Sequence, residues 1–89
     1  MLRPIITRKF DRDSKRMVRR GKSPAKLKEV VSLLLDEKQL EPKYQDHKLS
    51  GDYEGSRECH IQPDWLMIYT IDPPILRLER TGSHSDLFK

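Results

Sequence analysis

The clearest periodic signal lies at residues 27–35, where Leu27, Val30, Val31, Leu34 and Leu35 recur at the i, i+3, i+4, i+7, i+8 spacing of a core-facing helix. Ser23-Pro24 marks its start, with serine at the N-cap and proline at the first helical position, where its missing N–H costs nothing. Upstream, a thinner stripe of Phe10, Met17 and Val18, with Ser14 between them, predicts a first helix from an N-cap at Thr7 to Arg20, stopped at Gly21. Residues 2–6 are too few for a helix and predict a strand entered through Pro4. Pro42 ends any continuation of the second helix, and residues 41–55, rich in turn formers, read as an irregular loop.

Three further strands are predicted at 56–62, 65–71 and 75–81. The first alternates Cys59 and Ile61 on one face with Glu58 and His60 on the other; the last points Leu76 and Leu78 inward and Arg77 and Glu79 outward. Trp65 to Ile71 is nearly all apolar, as a central strand would be. Short turns at Gln62-Pro63-Asp64 and Asp72-Pro73-Pro74 make an antiparallel meander. The predicted fold class is therefore α+β: a small antiparallel sheet in the order β-α-α-β-β-β, with two helices packed on one face. The 89 residues suffice for one domain, 1–89.

Composition changes the picture mainly through charge. Residues are 35% hydrophobic and 36% charged, so the core is modest and the surface largely ionic. The net +4 is polarised: residues 1–28 hold eleven of the 18 Lys and Arg and two of the 14 acids, a net +9 against −5 for residues 29–89. Such a basic end suits phosphate-backbone contact, with Arg8, Lys9, Arg12, Lys15, Arg16 and Arg19 of the first helix as candidate RNA-binding residues; a merely solvated helix face is the alternative. The single cysteine excludes an internal disulfide and a cysteine-rich metal framework. No apolar run is long enough to span a bilayer and the first residues lack a signal-peptide stretch, which predicts a cytoplasmic protein with no membrane association.

The meander itself gathers chemistry. Its first turn holds Asp64 close after His60, and the third strand finishes beside the start of the second, three residues before His84. His60, Asp64 and His84 are thus expected at one end of the sheet, while His47 lies in the long loop and is merely able to reach them. Cleavage of RNA by its own 2′-OH needs a base, an acid and positive charge on the phosphate, and histidine suits both proton roles near neutral pH. Arg80 is a candidate for the phosphate charge, and Trp65 or Phe88 for stacking on a base. Plainer readings stand beside these. A lone histidine is more often a surface residue, Asp64 after proline is an ordinary turn residue, and Trp65 opening an apolar strand reads by itself as core. Arg80 has the strand parity of Leu76 and Leu78, so it either caps the core edge or marks a bulge. Cys59 and His60, as strand neighbours, point to opposite faces and do not form a metal site; no metal or other cofactor is expected.

The segments Tyr44–Gly51, Arg57–Trp65, Leu76–Gly82 and Ser83–Phe88 resemble the linked motifs of the YafQ branch of the RelE/ParE toxin superfamily. The resemblance is close over about residues 40–89 and one of layout in the helical half. It implies a RelE/ParE-like fold and an mRNA interferase, the toxin of a type II toxin–antitoxin pair, acting on mRNA in the ribosomal A site and neutralised by a cognate antitoxin protein. It carries the family's functional residues onto His47, His60, Asp64, Trp65, Arg80, His84 and Phe88, and implies metal-free cleavage to a 2′,3′-cyclic phosphate. On this reading His84 is the general acid, His60 or Asp64 the general base, His47 an aid to phosphate binding or proton transfer, and Arg80 the transition-state stabiliser. The basic first helix then grips ribosomal RNA. Two rivals remain at this point: a ParE-like toxin that binds DNA gyrase without cutting RNA, and a plain RNA-binding module.

Overall fold

The computed structural model describes residues 1–88. In chain order the elements are β1 (Arg3–Ile6), α1 (Arg8–Arg19), α2 (Pro24–Leu35), a 3₁₀ turn (Pro42–Tyr44), β2 (His47–Lys48), a second 3₁₀ turn (Gly51–Tyr53), β3 (Arg57–Gln62), β4 (Trp65–Asp72), β5 (Ile75–Gly82) and α3 (His84–Leu87). The α+β class and the order of the predicted elements follow the sequence pattern, to which the structure adds the short strand β2 and a third helix, α3. The five strands lie in the order β1-β5-β4-β3-β2. The sheet is mixed rather than wholly antiparallel, because β1 pairs parallel with β5, Arg3 opposite Ile75 through Ile6 opposite Leu78. The meander is antiparallel as expected. The long loop holds an unexpected strand: β2 pairs His47 with Glu58 and Lys48 with Arg57, too short a run to show any periodicity.

β1 covers only the first half of β5, and α1 takes up the edge of the second half. Thr7 N donates to Leu78 O at 3.2 Å, and Thr7 Oγ1 donates to Glu79 O at 2.9 Å while accepting from Phe10 N at 3.0 Å as the N-cap. The face that α1 turns inward is Phe10, Asp13 and Met17. Val18, expected on that stripe, is 49% exposed, and a carboxylate occupies the buried row instead. α2 begins at Pro24 after an extended Ser23 whose side chain makes no capping hydrogen bond, and it buries Val30 and Leu34.

The two helices cover one sheet face, where Cys59, Ile61, Trp65, Met67, Tyr69, Leu76 and Leu78 meet Phe10, Met17, Val30 and Leu34. Each fully buried side chain of this kind contributes about 1.5–3 kcal/mol relative to exposure, so this face carries most of the fold's stability. The opposite face has only a small second core of Leu66, Ile68 and Leu87, with Leu49, Tyr53 and Phe88 packed against it. α3 seals that core. It is held by a capping box in which Ser83 and Asp86 exchange hydrogen bonds, and by Arg20, which donates to both Asp86 carboxylate oxygens at 2.6 and 3.2 Å. Gly82 permits the sharp approach: a Cβ there would lie 3.0 Å from Asp86.

Candidate active site

His47, Glu58 and His60 lie together on the thinly covered face, and strand register explains how. Residues directly opposite one another across a ladder share a face. His47 lies opposite Glu58, Glu58 opposite Ile68, and Ile68 opposite Arg80, so one row runs across four strands. The next row runs from His60 through Leu66 to Gly82, two residues before His84. Arg80 joins its row because β5 carries a bulge. Tyr69 pairs with Leu78 but Ile68 pairs with Arg80, which leaves Glu79 as the extra residue and removes Arg80 from the parity of Leu76 and Leu78. Of the two readings left open for Arg80, the bulge is the one observed.

Glu58 is the centre of the first row. Its Oε1 lies 3.5 Å from His47 Nε2 and 3.6 Å from His60 Nε2, and the residue is only 6% exposed. Glu58 thus stands as a buried carboxylate with an imidazole on either side, each at ion-pair and not hydrogen-bond distance. His47 Nδ1 lies 2.7 Å from Gln45 O, a contact that requires a proton on Nδ1 and turns Nε2 toward the carboxylate. His60 Nδ1 is buried with no partner, which is the cheaper arrangement if it is a bare acceptor and Nε2 carries the proton toward Glu58. Glu58 was not among the sequence candidates. The signal that would have found it is its shared strand parity with His60.

Asp64 and His84 meet at the end of the sheet: Asp64 Oδ1 accepts from His84 N at 3.3 Å, so the carboxylate contacts the backbone of the helix start and not the imidazole. His84 itself is exposed, with its ring 5.3 Å from that of Phe88, which in turn lies 5.9 Å from Tyr53 at 76°. Arg80 donates through Nε to Asp13 Oδ2 at 2.6 Å and through Nη2 to Asp13 Oδ1 at 3.2 Å. That pairing, and then the nearby Tyr53 hydroxyl, raise its already high pKa, so it is a permanent cation. His47, His60, Arg80, Asp64, His84 and Phe88 are thus distributed along one face and one end of the sheet.

Trp65 departs from the expectation of a stacking platform. It faces the helices, is 1% exposed, and donates from Nε1 to Thr81 Oγ1 at 2.9 Å, which satisfies its one polar atom inside the core. A base cannot reach it. Arg8, Lys9, Arg12, Lys15 and Arg19 are exposed along α1, whereas Arg16 is half-buried and donates to Asp13. Burial, with the Asp46 and Glu58 charges, pushes the Cys59 thiol up to about 12, so it is no nucleophile. Among the described residues no group of three or more His, Cys, Asp or Glu side chains is arranged to hold a metal ion. No helix is long and apolar enough to cross a membrane.

Known proteins of similar sequence and fold match this chain over most or all of its length. The mRNA interferase toxin YafQ of Escherichia coli strain K12 is 40% identical over 80 residues, 89% of this chain and 87% of the relative. The crystal structure of the E. coli DinJ-YafQ complex superposes on all of both chains at a TM-score of 0.92 and 36% identity. A copper-bound mutant toxin from Helicobacter pylori matches with a TM-score of 0.94 and 38% identity, over 99% of this chain and 100% of that one. The profile of the family described as bacterial toxin of type II toxin-antitoxin system, YafQ, matches residues 2–89, and the chain therefore belongs to the YafQ family of type II toxins.

Proposed function

We propose that the protein is an mRNA interferase that cuts messages in the ribosomal A site by metal-independent acid–base catalysis. The single observation that carries this reading is the row on the open face, in which buried Glu58 sits between the Nε2 atoms of His47 and His60 and continues across the sheet to Arg80. Such a set supplies proton carriers and a fixed cation without a metal, which matches what a 2′-OH attack on phosphorus requires.

In the proposed reaction the 2′-OH loses its proton to His60 or Asp64 and forms a bond to phosphorus. The P–O5′ bond breaks, His84 protonates the departing oxygen, and a 2′,3′-cyclic phosphate remains. Arg80 balances the charge that builds on the phosphoryl oxygens, and His47 helps to hold them. Phe88, beside the His84 ring, supplies the stacking surface that buried Trp65 does not. Arg8, Lys9, Arg12, Lys15 and Arg19 offer exposed charge to ribosomal RNA, with Arg16 contributing less because Asp13 engages it. A cognate antitoxin protein masks the toxin, as DinJ assembles with the E. coli relative.

The test is incubation with ribosomes and a defined message in excess chelator. Cleavage fragments ending in cyclic phosphate are expected. Activity that disappears with the chelator would remove the metal-free mechanism, and gyrase inhibition without cleavage would replace the whole reading by a ParE-like one.

A further inference from the structure

Asp13 is the most buried acid of a very basic helix, and its position needs a reason beyond helix formation. It is 4% exposed and sits on the inward row of α1 between Phe10 and Met17. Four donors converge on its carboxylate: Arg80 Nε at 2.6 Å, Arg80 Nη2 at 3.2 Å, Arg16 Nη2 at 2.9 Å and the backbone N of Thr81 at 3.2 Å. The last of these is the edge N–H that β1 is too short to satisfy. One side chain therefore grips both the guanidinium of Arg80 and the backbone just past the bulge that turned Arg80 onto the open face.

We propose that Asp13 is a positioning residue for catalysis: it locks the Nε and Nη2 side of the Arg80 guanidinium, so that the remaining N–H groups are held at the scissile phosphate before substrate arrives. The inference rests on the role given to Arg80 above. Its physical basis is preorganisation. A guanidinium has five N–H donors in a rigid fork, and two of them anchored on a buried carboxylate leave the other three aimed by the plane of the fork, not by a flexible stem. Charge that is already oriented stabilises a transition state without reorganisation at the moment of reaction. Arg16 is the fourth point of the grip, and holds Asp13 from the solvent side.

The experiment is a kinetic double-variant cycle on the purified full-length toxin with ribosomes and message, comparing wild type, Asp13→Asn, Arg80→Ala and the pair. Asp13→Asn keeps the size and removes the charge; loss of kcat by roughly ten- to a hundredfold is expected, the scale set by small misplacements of catalytic groups, with KM little changed. The double variant is expected to be no slower than Arg80→Ala alone, because Asp13 acts through that arginine. Multiplying losses would mean that Asp13 serves the fold only and would overturn the inference. Asp13→Glu covers the case in which Asp13→Asn does not fold: it retains the ion pair but pushes the guanidinium outward by one methylene, so a folded protein with reduced kcat is expected and one with full kcat overturns the inference. The underlying reading fails separately, and visibly, if Arg80→Ala itself cleaves at the wild-type rate.

Discussion

On the face covered by α1 and α2, the sheet buries Trp65, Met67, Tyr69, Leu76 and Leu78 against four helix side chains. On the other face the buried apolar set shrinks to Leu66, Ile68 and Leu87, and the same strands present His47, Glu58, His60 and Arg80 instead. Alternation of side chains along a strand lets one backbone serve both purposes. Parity thus divides an apolar helix-side set from a mixed set in which the polar side chains surround Leu66 and Ile68, with the β5 bulge bringing Arg80 into the second. α3 is the exception, since it closes the small core through Leu87 and carries His84 on the same turn.

The largest effect on activity with the least on folding is expected of His84→Ala. Loss of a general acid lowers kcat by about 10²–10⁴-fold, and thermal unfolding should stay near wild type because the ring is exposed. Cleavage at the wild-type rate would remove His84 from the reaction. Trp65→Ala is its mirror image: about 3–5 kcal/mol of stability should vanish in urea unfolding, while the fraction still folded keeps its activity. Loss of activity in folded protein would mean that this residue touches RNA after all. Glu58→Gln, which keeps the size of the side chain and removes the charge between the two imidazoles, is expected to slow cleavage roughly tenfold. Unchanged kinetics would make Glu58 a bystander.

Two smaller effects test the exception and the basic helix. Arg20 and the capping box hold the Asp86 carboxyl well below the usual range, so its folded pKa lies under its unfolded value. The stability it adds is full above the ordinary aspartate range of about 4 and drains away as pH falls through that range toward the folded value. Arg20→Ala should therefore raise the pH at which α3 undocks, followed by Phe88 ring signals in NMR; an unmoved acid transition would show that α3 is held by Leu87 alone. Lys15→Ala should lower the slope of log affinity for ribosomes against log salt by about one. An unchanged slope would mean that this side chain meets no phosphate.

How much of this was legible depended on the length of the repeating unit. α2 spans Pro24–Leu35 as its stripe and its Ser-Pro start predicted, and β3, β4 and β5 begin and end within a residue of expectation. β2 escaped because two residues cannot display a period of two, and α3 because four cannot display a period of 3.6. Asp13 escaped for a different reason. In a helix crowded with charge nothing local marks one acid as buried, and Val18 stands out as the better candidate; the edge of β5 supplies three of the four donors that hold Asp13.

The α+β class, the meander, the span of α2 and the chemical types available follow from local periodicity, capping and turn residues and are readable along the chain. Only the tertiary structure decided that Trp65 is core, that Arg80 turns outward at a bulge, that Glu58 stands between two histidines, and that β1 lies parallel to β5. Each of these is a pairing between residues distant along the chain. Register and burial arise from the packing of whole elements, which no stretch of sequence records alone.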